Sequence, residues 1–368
     1  MQVKRSTKCS LKFSSQAKLD ILANKILPEY GRVVNFFISL ETPNKASLLA
    51  PIANQPVSWL SSRLKKVAAR EAIDMILSAK NKENPEARKH RPHHYGRSMQ
   101  VSSTIASLKT SKTATAFDSW LHLASLGEGI VLDLPIKLHK HFHRLAARGK
   151  RLESYVIHAD YAQLCFEIET GKKKTSGLDA GLDTGIKALA TLNNGHQYGL
   201  DIEALVEKIK RKKPGSHQQQ RARRALRQRM DEIAKELIAS EDLKTLVVED
   251  LKKLNYQTKL KRRLSRSMRR SLGTWAYRYW LHRIQMATED NRISLRCIPP
   301  AYTSQRCYGC GHTERANRNG KMFWCLSCGH KDNADVNAAK NILFRWASGP
   351  YGAAYQPTMK PKVNLDVV

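Results

Sequence analysis

The sequence predicts a chain of α/β plus β class in two parts, on three observations. The text passes from strand-like to helical and back to strand-like before a polar basic run at Gly171–Ser176. Beyond that run, three acids sit at the ends of apolar strands or at the start of a helix, and two CxxC pairs lie just ahead of the last of them.

With 368 residues, 41% of them hydrophobic, the chain is long enough for two or three packed domains. Lys and Arg number 64 against 32 Asp and Glu, a formal charge of +32. Such an excess calls for a polyanionic partner, and nucleic acid is the leading candidate. No apolar run approaches the ~18 residues of a membrane span, so no membrane partner is expected. The N-terminal MQVKRSTKCSLKF has no apolar signal core. A cytoplasmic, prokaryotic and nucleoid-associated location is the expectation, with the seven cysteines as thiols or metal ligands.

Met1 to about Leu40 reads as a short strand and then a helix through Leu19, Leu22, Ile26 and Tyr30. About Ala46 to Leu126 has helical spacing, broken by a basic exposed loop at Glu86–Arg97. Strands return from Gly127 to Glu169, where Tyr155, Ile157, Leu164, Phe166 and Ile168 alternate as a hairpin, completed by the N-terminal strand. LDTGIKALATLNNGHQYGLDI reads as two strands meeting at an Asn194-Gly195 turn, with an apolar strand before them. Helix Met230–Ile238 and the strand TLVVED follow, and the residues from Ser348 lack periodicity and read as a flexible tail.

Cys307-Tyr-Gly-Cys310 is followed fourteen residues later by Cys325-Leu-Ser-Cys328, and each pair precedes Gly-His. Two such knuckles bring four thiolates to one tetrahedral Zn²⁺, a structural site that holds a loop and does not catalyse. Cys9, Cys165 and Cys297 fall outside the pattern and read as small hydrophobes.

The three acids are Asp183 in Gly-Leu-Asp-Thr-Gly, Glu249 at the end of Leu246-Val247-Val248, and Asp335 at the start of VNAAKNILFRW. Singly, each has a structural reading as turn residue, edge charge or helix cap. Together, in so basic a chain, they suggest oxygen ligands for two Mg²⁺ ions about 4 Å apart that assist phosphodiester hydrolysis. Asp179, in the overlapping GLDAG, is an alternative first acid.

Lys208–Met230 holds ten Lys or Arg and no acid, and Lys252–Arg270 holds nine and no acid. Lys208, Lys210, Arg211, Lys212, Arg221, Arg223, Arg224 and Arg227 in the first block are candidates to track phosphates along a helix pair. Lys261, Arg262, Arg263, Arg266, Arg269 and Arg270 are the candidates in the second. Trp275, Tyr277, Tyr279 and Trp280 read mostly as core. His139, His141 and His143 read as a polar strand face near RNA.

In order, GLDTGIKALATLNNG, LVVEDL, the two CxxC-GH knuckles and DNADVNAAKNIL resemble the TnpB family of transposon-encoded RNA-guided nucleases, related to miniature type V CRISPR effectors. The resemblance covers roughly Leu178–Leu343 in motif detail. It implies an RNase H-like (RuvC) nuclease domain at 173–302 with a zinc ribbon at 303–331 and a last helix at 332–347, before a tail at 348–368. It further implies a β-barrel wedge at 1–18 and 127–172 carrying a helical recognition insertion at 19–126. By the same resemblance Asp183, Glu249 and Asp335 are the catalytic acids, and the partners are a guide RNA and double-stranded target DNA, with one protomer per guide. The expected activity is Mg²⁺-dependent cutting of DNA beside a short flanking duplex motif. The rival expectations are an RNA-guided repressor or zinc-ribbon nucleic-acid-binding protein that never cuts, and a DNA-rejoining transposase.

Overall fold

The computed structural model describes residues 2–40, 56–81, 90–110, 116–251 and 276–349. The basic residues from Lys261 to Arg270, Trp275, residues 86–89 of the expected loop at 86–97, and the tail beyond Gly349 lie outside them. The chain divides into two compact units, Met1–Glu169 and Thr170–Val368.

The first unit opens with β1 (Gln2–Ser10), then a helix running as α1 (Gln16–Asp20), a π-helical stretch (Ile21–Ile26) and α2 (Leu27–Ser39). α3 (Ser62–Lys80) begins at the N-cap Ser61, whose hydroxyl accepts from Leu64 N. β2 (Ser98–Val101), β3 (Ala106–Thr110), β4 (Ser119–Leu123) and β5 (Leu132–Ile136) precede α4 (Lys140–Arg148), β6 (Gly149–His158) and β7 (Tyr161–Glu169). The strands form one sheet in the order β1-β7-β6-β2 and another in the order β3-β4-β5. β1 alternates exposed and buried residues strictly and pairs with β7 from Gln2↔Glu169 to Ser10↔Tyr161, so its register is set by which face is apolar. The expected hairpin and its completing N-terminal strand are therefore present.

Two expectations for this unit fail. Residues 98–123 form β2, β3 and β4 where helical spacing was expected. These strands are short, and their alternation (Met99 and Val101, Leu121 and Leu123 buried) spans too few residues to outvote the composition around them. The hydrogen bonds of β2 come from β6, a distant partner that no local pattern reveals. His139, His141 and His143 lie not on a strand but at the N-cap and in the first turns of α4. There His139 Nε2 lies 3.2 Å from Thr7 Oγ1 and 3.0 Å from Lys8 O.

The second unit is built on β8 (Leu178–Asp183), β9 (Ala190–Leu192), β10 (Gln197–Tyr198), α5 (Ile202–Lys210), α6 (His217–Ser240) and β11 (Leu243–Glu249). It continues with α7 (Tyr277–Asp290), β12 (Ser294–Ile298), the small strands β13 (Arg318–Asn319), β14 (Met322–Trp324) and β15 (Lys331–Asn333), and α8 (Ala334–Ala347). The main sheet has the order β10-β9-β8-β11-β12, with β8, β11 and β12 parallel and β9 and β10 added as an antiparallel meander. The meander turns at Asn194-Gly195, where Gly195 takes φ +95°.

From Thr245 to Val248, β11 is buried without alternation because both faces are covered. Leu246 and Val248 join Ile233, Trp280 and Ile284 on one side, and Val247 meets Ile298 and Ile342 on the other. α8 rests on β8 so closely that a Cβ on Gly181 would lie 2.2 Å from Ala339 O. That glycine, in the middle of the duplicated GLDAG/GLDTG pattern, is what admits the helix to the sheet.

Candidate active site and metal centre

Parallel strands deliver their C-terminal ends to one edge of the sheet, and two of the three candidate acids arrive there together. Leu182 on β8 pairs with Val248 on β11, so Asp183 and Glu249, one residue further, stand on neighbouring strands, about 4.8 Å apart in backbone spacing. Asp335 reaches the same place from the first turn of α8. Asn333, not Asp335, caps that helix, accepting from Asp335 N (2.9 Å) and Val336 N (3.4 Å). This leaves the Asp335 carboxylate available to the site.

The electrostatics register the convergence. Burial pushes the Asp183 carboxyl up to about 8, and the charges of Glu249 and Asp335 push in the same direction. The Arg318 guanidinium and the Thr184 N–H oppose them. Burial also raises Glu249, against a hydrogen bond from the Thr303 hydroxyl and the cations Arg345 and Arg318. Tyr277 closes the strand behind it, donating to Glu249 O (2.6 Å) while accepting from Leu251 N (3.3 Å). A buried cluster of acids that must share so little countercharge is an arrangement suited to a divalent cation.

Asp179 lies elsewhere. It sits four residues earlier on β8 and pairs with Lys244 at 3.1 Å, at the other end of the strand from Asp183. It is not among the charges that act on Asp183.

The four thiols of Cys307, Cys310, Cys325 and Cys328 lie within 4.8 Å of one another. Cys307 and Cys328 are 3.8 Å apart and Cys310 and Cys325 3.6 Å. Among the described residues no other group of three or more His, Cys, Asp or Glu, the three acids included, has its ligand atoms all this close together. The two knuckles repeat each other: Gly311 N donates to Cys307 O and Gly329 N to Cys325 O, both at 2.9 Å, with the glycines at φ +80° and +72°. A backbone hydrogen bond from His330 helps bring the Cys328 thiol down to about 7, toward the thiolate that metals bind.

The start of the ribbon, through its first knuckle, is tied to α8 by two fully buried asparagines one turn apart. Asn337 Nδ2 donates to Arg306 O (2.8 Å) and its Oδ1 accepts from Tyr308 N (3.0 Å). Asn341 Nδ2 donates to Arg306 O (2.7 Å) and Thr303 O (3.1 Å), while its Oδ1 accepts from Arg306 Nη1 (2.9 Å). Through these bonds the ribbon fixes Thr303 against Glu249, and it carries Arg318, which donates to Asp335 Oδ1 at 2.6 Å. Sequence reading missed Thr303, Arg318, Asn333, Asn337 and Asn341. The DNADVNAAKN spacing was a usable signal for the asparagines, whereas nothing local marks Arg318.

Of the basic candidates, Lys208 and Lys210 lie in α5, Arg211 and Lys212 follow it, and Arg221, Arg223, Arg224 and Arg227 line the first half of α6. The expected helix pair is present, and the expected helix Met230–Ile238 is the second half of α6. Lys210 departs from expectation: it pairs with Glu207 at 2.6 Å and its side chain is largely covered. Arg227 stands over the Tyr279 ring at 5.4 Å. Tyr277 and Trp280 are core.

Residues 277–342 match the Cas12f1-like TNB domain family. Over 74 residues the chain is 43% identical to the CRISPR-associated endodeoxyribonuclease Cas12f1 of Sulfoacidibacillus thermotolerans, covering 20% of this chain and 18% of that protein. Over 191 residues it is 32% identical to InsQ of Escherichia coli (strain K12), covering 44% of this chain and 48% of InsQ. The matched segments thus span no more than about half the length of these relatives. Among solved structures, that of a Cas12f1-sgRNA-target DNA complex shares the fold with a TM-score of 0.52 at 14% identity, over 90% of this chain and 82% of that one. No described helix is long and apolar enough to cross a membrane. Over part of its length the chain is thus similar to TnpB-like and Cas12f1 proteins, with the match to the Cas12f1-like TNB domain lying at residues 277–342.

Proposed function

We propose that this chain is an RNA-guided endonuclease that cuts double-stranded DNA beside a short flanking motif. The observation that carries the reading is the meeting of Asp183, Glu249 and Asp335 at the C-terminal edge of the parallel strands, in a chain of charge +32. The similarity to Cas12f1, whose solved complex holds a single guide RNA and target DNA, supports the same conclusion.

Asp183, Glu249 and Asp335 are the residues that would hold Mg²⁺, two ions by this reading, and Cys307, Cys310, Cys325 and Cys328 those that would hold Zn²⁺. The S···S distances of 3.6 and 3.8 Å suit Zn²⁺, for which four bonds of about 2.3 Å give a tetrahedral edge of about 3.8 Å. Bound Mg²⁺ supplies Lewis-acid stabilisation of the negative charge that develops during phosphodiester hydrolysis. The protein's part is positional. Asp183 and Glu249 are held by the register of β8 and β11, Thr303 orients the Glu249 carboxylate, and Arg318 keeps Asp335 in place and moderates the repulsion of the three acids. The exposed arginines of α6 are suited to track a guide–target heteroduplex by its phosphates.

The test is to purify the chain with the RNA of its own locus and to incubate it with a plasmid library of matched targets, in Mg²⁺ or in EDTA. Linear product that requires Mg²⁺ and is confined to targets with one flanking sequence is expected. Tight, guide-dependent binding without cutting in any divalent metal would replace this reading with that of a guided repressor.

A further inference from the structure

In the first unit, the β1-β7-β6-β2 sheet ends at its β6–β7 hairpin in a row of aromatic and basic side chains that the candidate active site does not use. Lys8 on β1 holds its ammonium 4.4 Å from the centre of the Tyr161 ring and donates to the Tyr161 hydroxyl at 3.2 Å. Tyr161 stacks on His158, with 4.1 Å between ring centres and 22° between planes. His158 pairs across the sheet with Ser98. Next to Ser98, Arg97 lies 5.8 Å over the Tyr95 ring, and His93 meets the same ring at 5.0 Å.

Tyr95 is 76% exposed, and residues 90–97 contain no acid. An exposed aromatic among cations needs an explanation that core packing does not supply. The loop that bears it is firmly held. His94 N donates to Asn35 Oδ1 (2.8 Å) and Asn35 Nδ2 returns a bond to His94 O (2.9 Å). The buried His94 ring lies 3.6 Å from Glu71, which also accepts from the Tyr30 hydroxyl at 2.6 Å. Gly31 and Gly96 touch backbone to backbone, so that a Cβ on Gly31 would come within 2.6 Å of Gly96 Cα. A side chain presented from so fixed a loop loses little conformational freedom when it is covered by a partner.

We propose that this row, Tyr95 with His93 and Arg97 and Tyr161 with His158 and Lys8, is a stacking platform for unpaired nucleotides of the RNA that the chain carries. The inference rests on the RNA-guided reading above. Stacking needs the face of a base, and a base shows its face only outside a helix. Duplex DNA hides its base faces, whereas loops, bulges and ends of a folded RNA display them and are bound by aromatic rings and arginine planes. Lys8 and Arg97 supply positive charge for the adjoining phosphates. Burial, and then Lys8, lower the proton affinity of the His158 ring, against the pull of Asp160.

The test uses the full chain, the RNA recovered with it, a single-stranded DNA of the same sequence and a fully paired duplex. Ultraviolet crosslinking followed by peptide mass spectrometry is expected to join Tyr95 or Tyr161 to a nucleotide of the RNA. Tyr95→Ala should weaken RNA binding about tenfold and Tyr95→Phe should stay within about twofold of the parent. Unchanged affinity in Tyr95→Ala, together with no crosslink in the row, overturns the platform, and so does a single-stranded DNA that binds through Tyr95 more tightly than the RNA. A parent chain that binds no RNA sinks the guided-nuclease reading itself. One that binds RNA and cuts, with Tyr95→Ala unaffected in affinity, sinks only the platform.

Discussion

Arg318 in the ribbon donates to Asp335 in the first turn of α8 across 2.6 Å, joining the four-cysteine module to the cluster of acids. The same guanidinium lowers the proton affinity of Asp183 and Glu249. The four-cysteine module and the sheet edge are therefore coupled, and disturbing either has consequences at the other.

Asp183 sits where folding disfavours its charge. Its carboxyl is raised to about 8 in the folded chain, against about 4 when unfolded. Between those values the folded state keeps a proton that the unfolded state has lost, so stability falls as pH rises through this window. We expect Asp183→Asn to abolish cutting and, in EDTA at pH 8, to add on the order of a few kcal/mol of stability, seen as a higher melting temperature. Near pH 4 the two proteins should melt together. Equal melting temperatures at pH 8 would mean that Asp183 is not in a repulsive cluster.

Gly181→Ala tests the approach of α8 to the sheet. The new methyl would stand 2.2 Å from Ala339 O and 2.8 Å from Leu343 N, both backbone atoms. Stability should drop by about 3 kcal/mol or more, and cutting should fail because Asp335 moves with the helix. Gly195→Ala meets no such atoms but carries φ +95°, and should lose about 1 kcal/mol with cutting retained. Denaturant unfolding followed by a plasmid assay separates the two.

Cys310→Ser should reduce zinc content, read by elemental analysis, from one ion per chain to none. Because Thr303 and Arg318 are held through the ribbon, cutting should also be lost. Retained cutting in a zinc-free chain would uncouple the two modules.

Two arginines of α6 should behave in opposite ways. Arg224 is exposed, and Arg224→Gln should weaken nucleic-acid binding and reduce the dependence of binding on log salt by about one. Arg229 is held by Asp201 (2.9 Å), Glu236 (2.8 Å) and Glu232 (3.5 Å), and Arg229→Gln should lower the melting temperature while leaving the salt dependence unchanged. Salt-titrated binding on both variants decides the matter.

Much of this chain was legible as text because the chemistry is local. Each CxxC-Gly knuckle closes through hydrogen bonds within five residues, so its spacing is its geometry. The strands β6, β7 and β11 announced themselves through alternation or through an unbroken apolar run, and β1 found its partner through the same alternation. Where hydrogen bonds came from a distant partner, as in β2, which pairs with β6, the composition misled. The choice between Asp179 and Asp183 was also beyond the text, since both lie in the same pentapeptide pattern on one strand.

By itself, then, the sequence determined the residue types: acids at strand and helix ends, four thiols in two knuckles, and a large excess of cations. Only the tertiary structure decided which of them meet. Strand register set Asp183 beside Glu249, the bare Gly181 let α8 bring in Asp335, the buried Asn341 held the Thr303 backbone beside Glu249, and Arg318 met Asp335 from the ribbon. The physical reason is that a carboxylate's proton affinity depends on burial and on charges a few ångströms away, and those neighbours come from four separate stretches of chain.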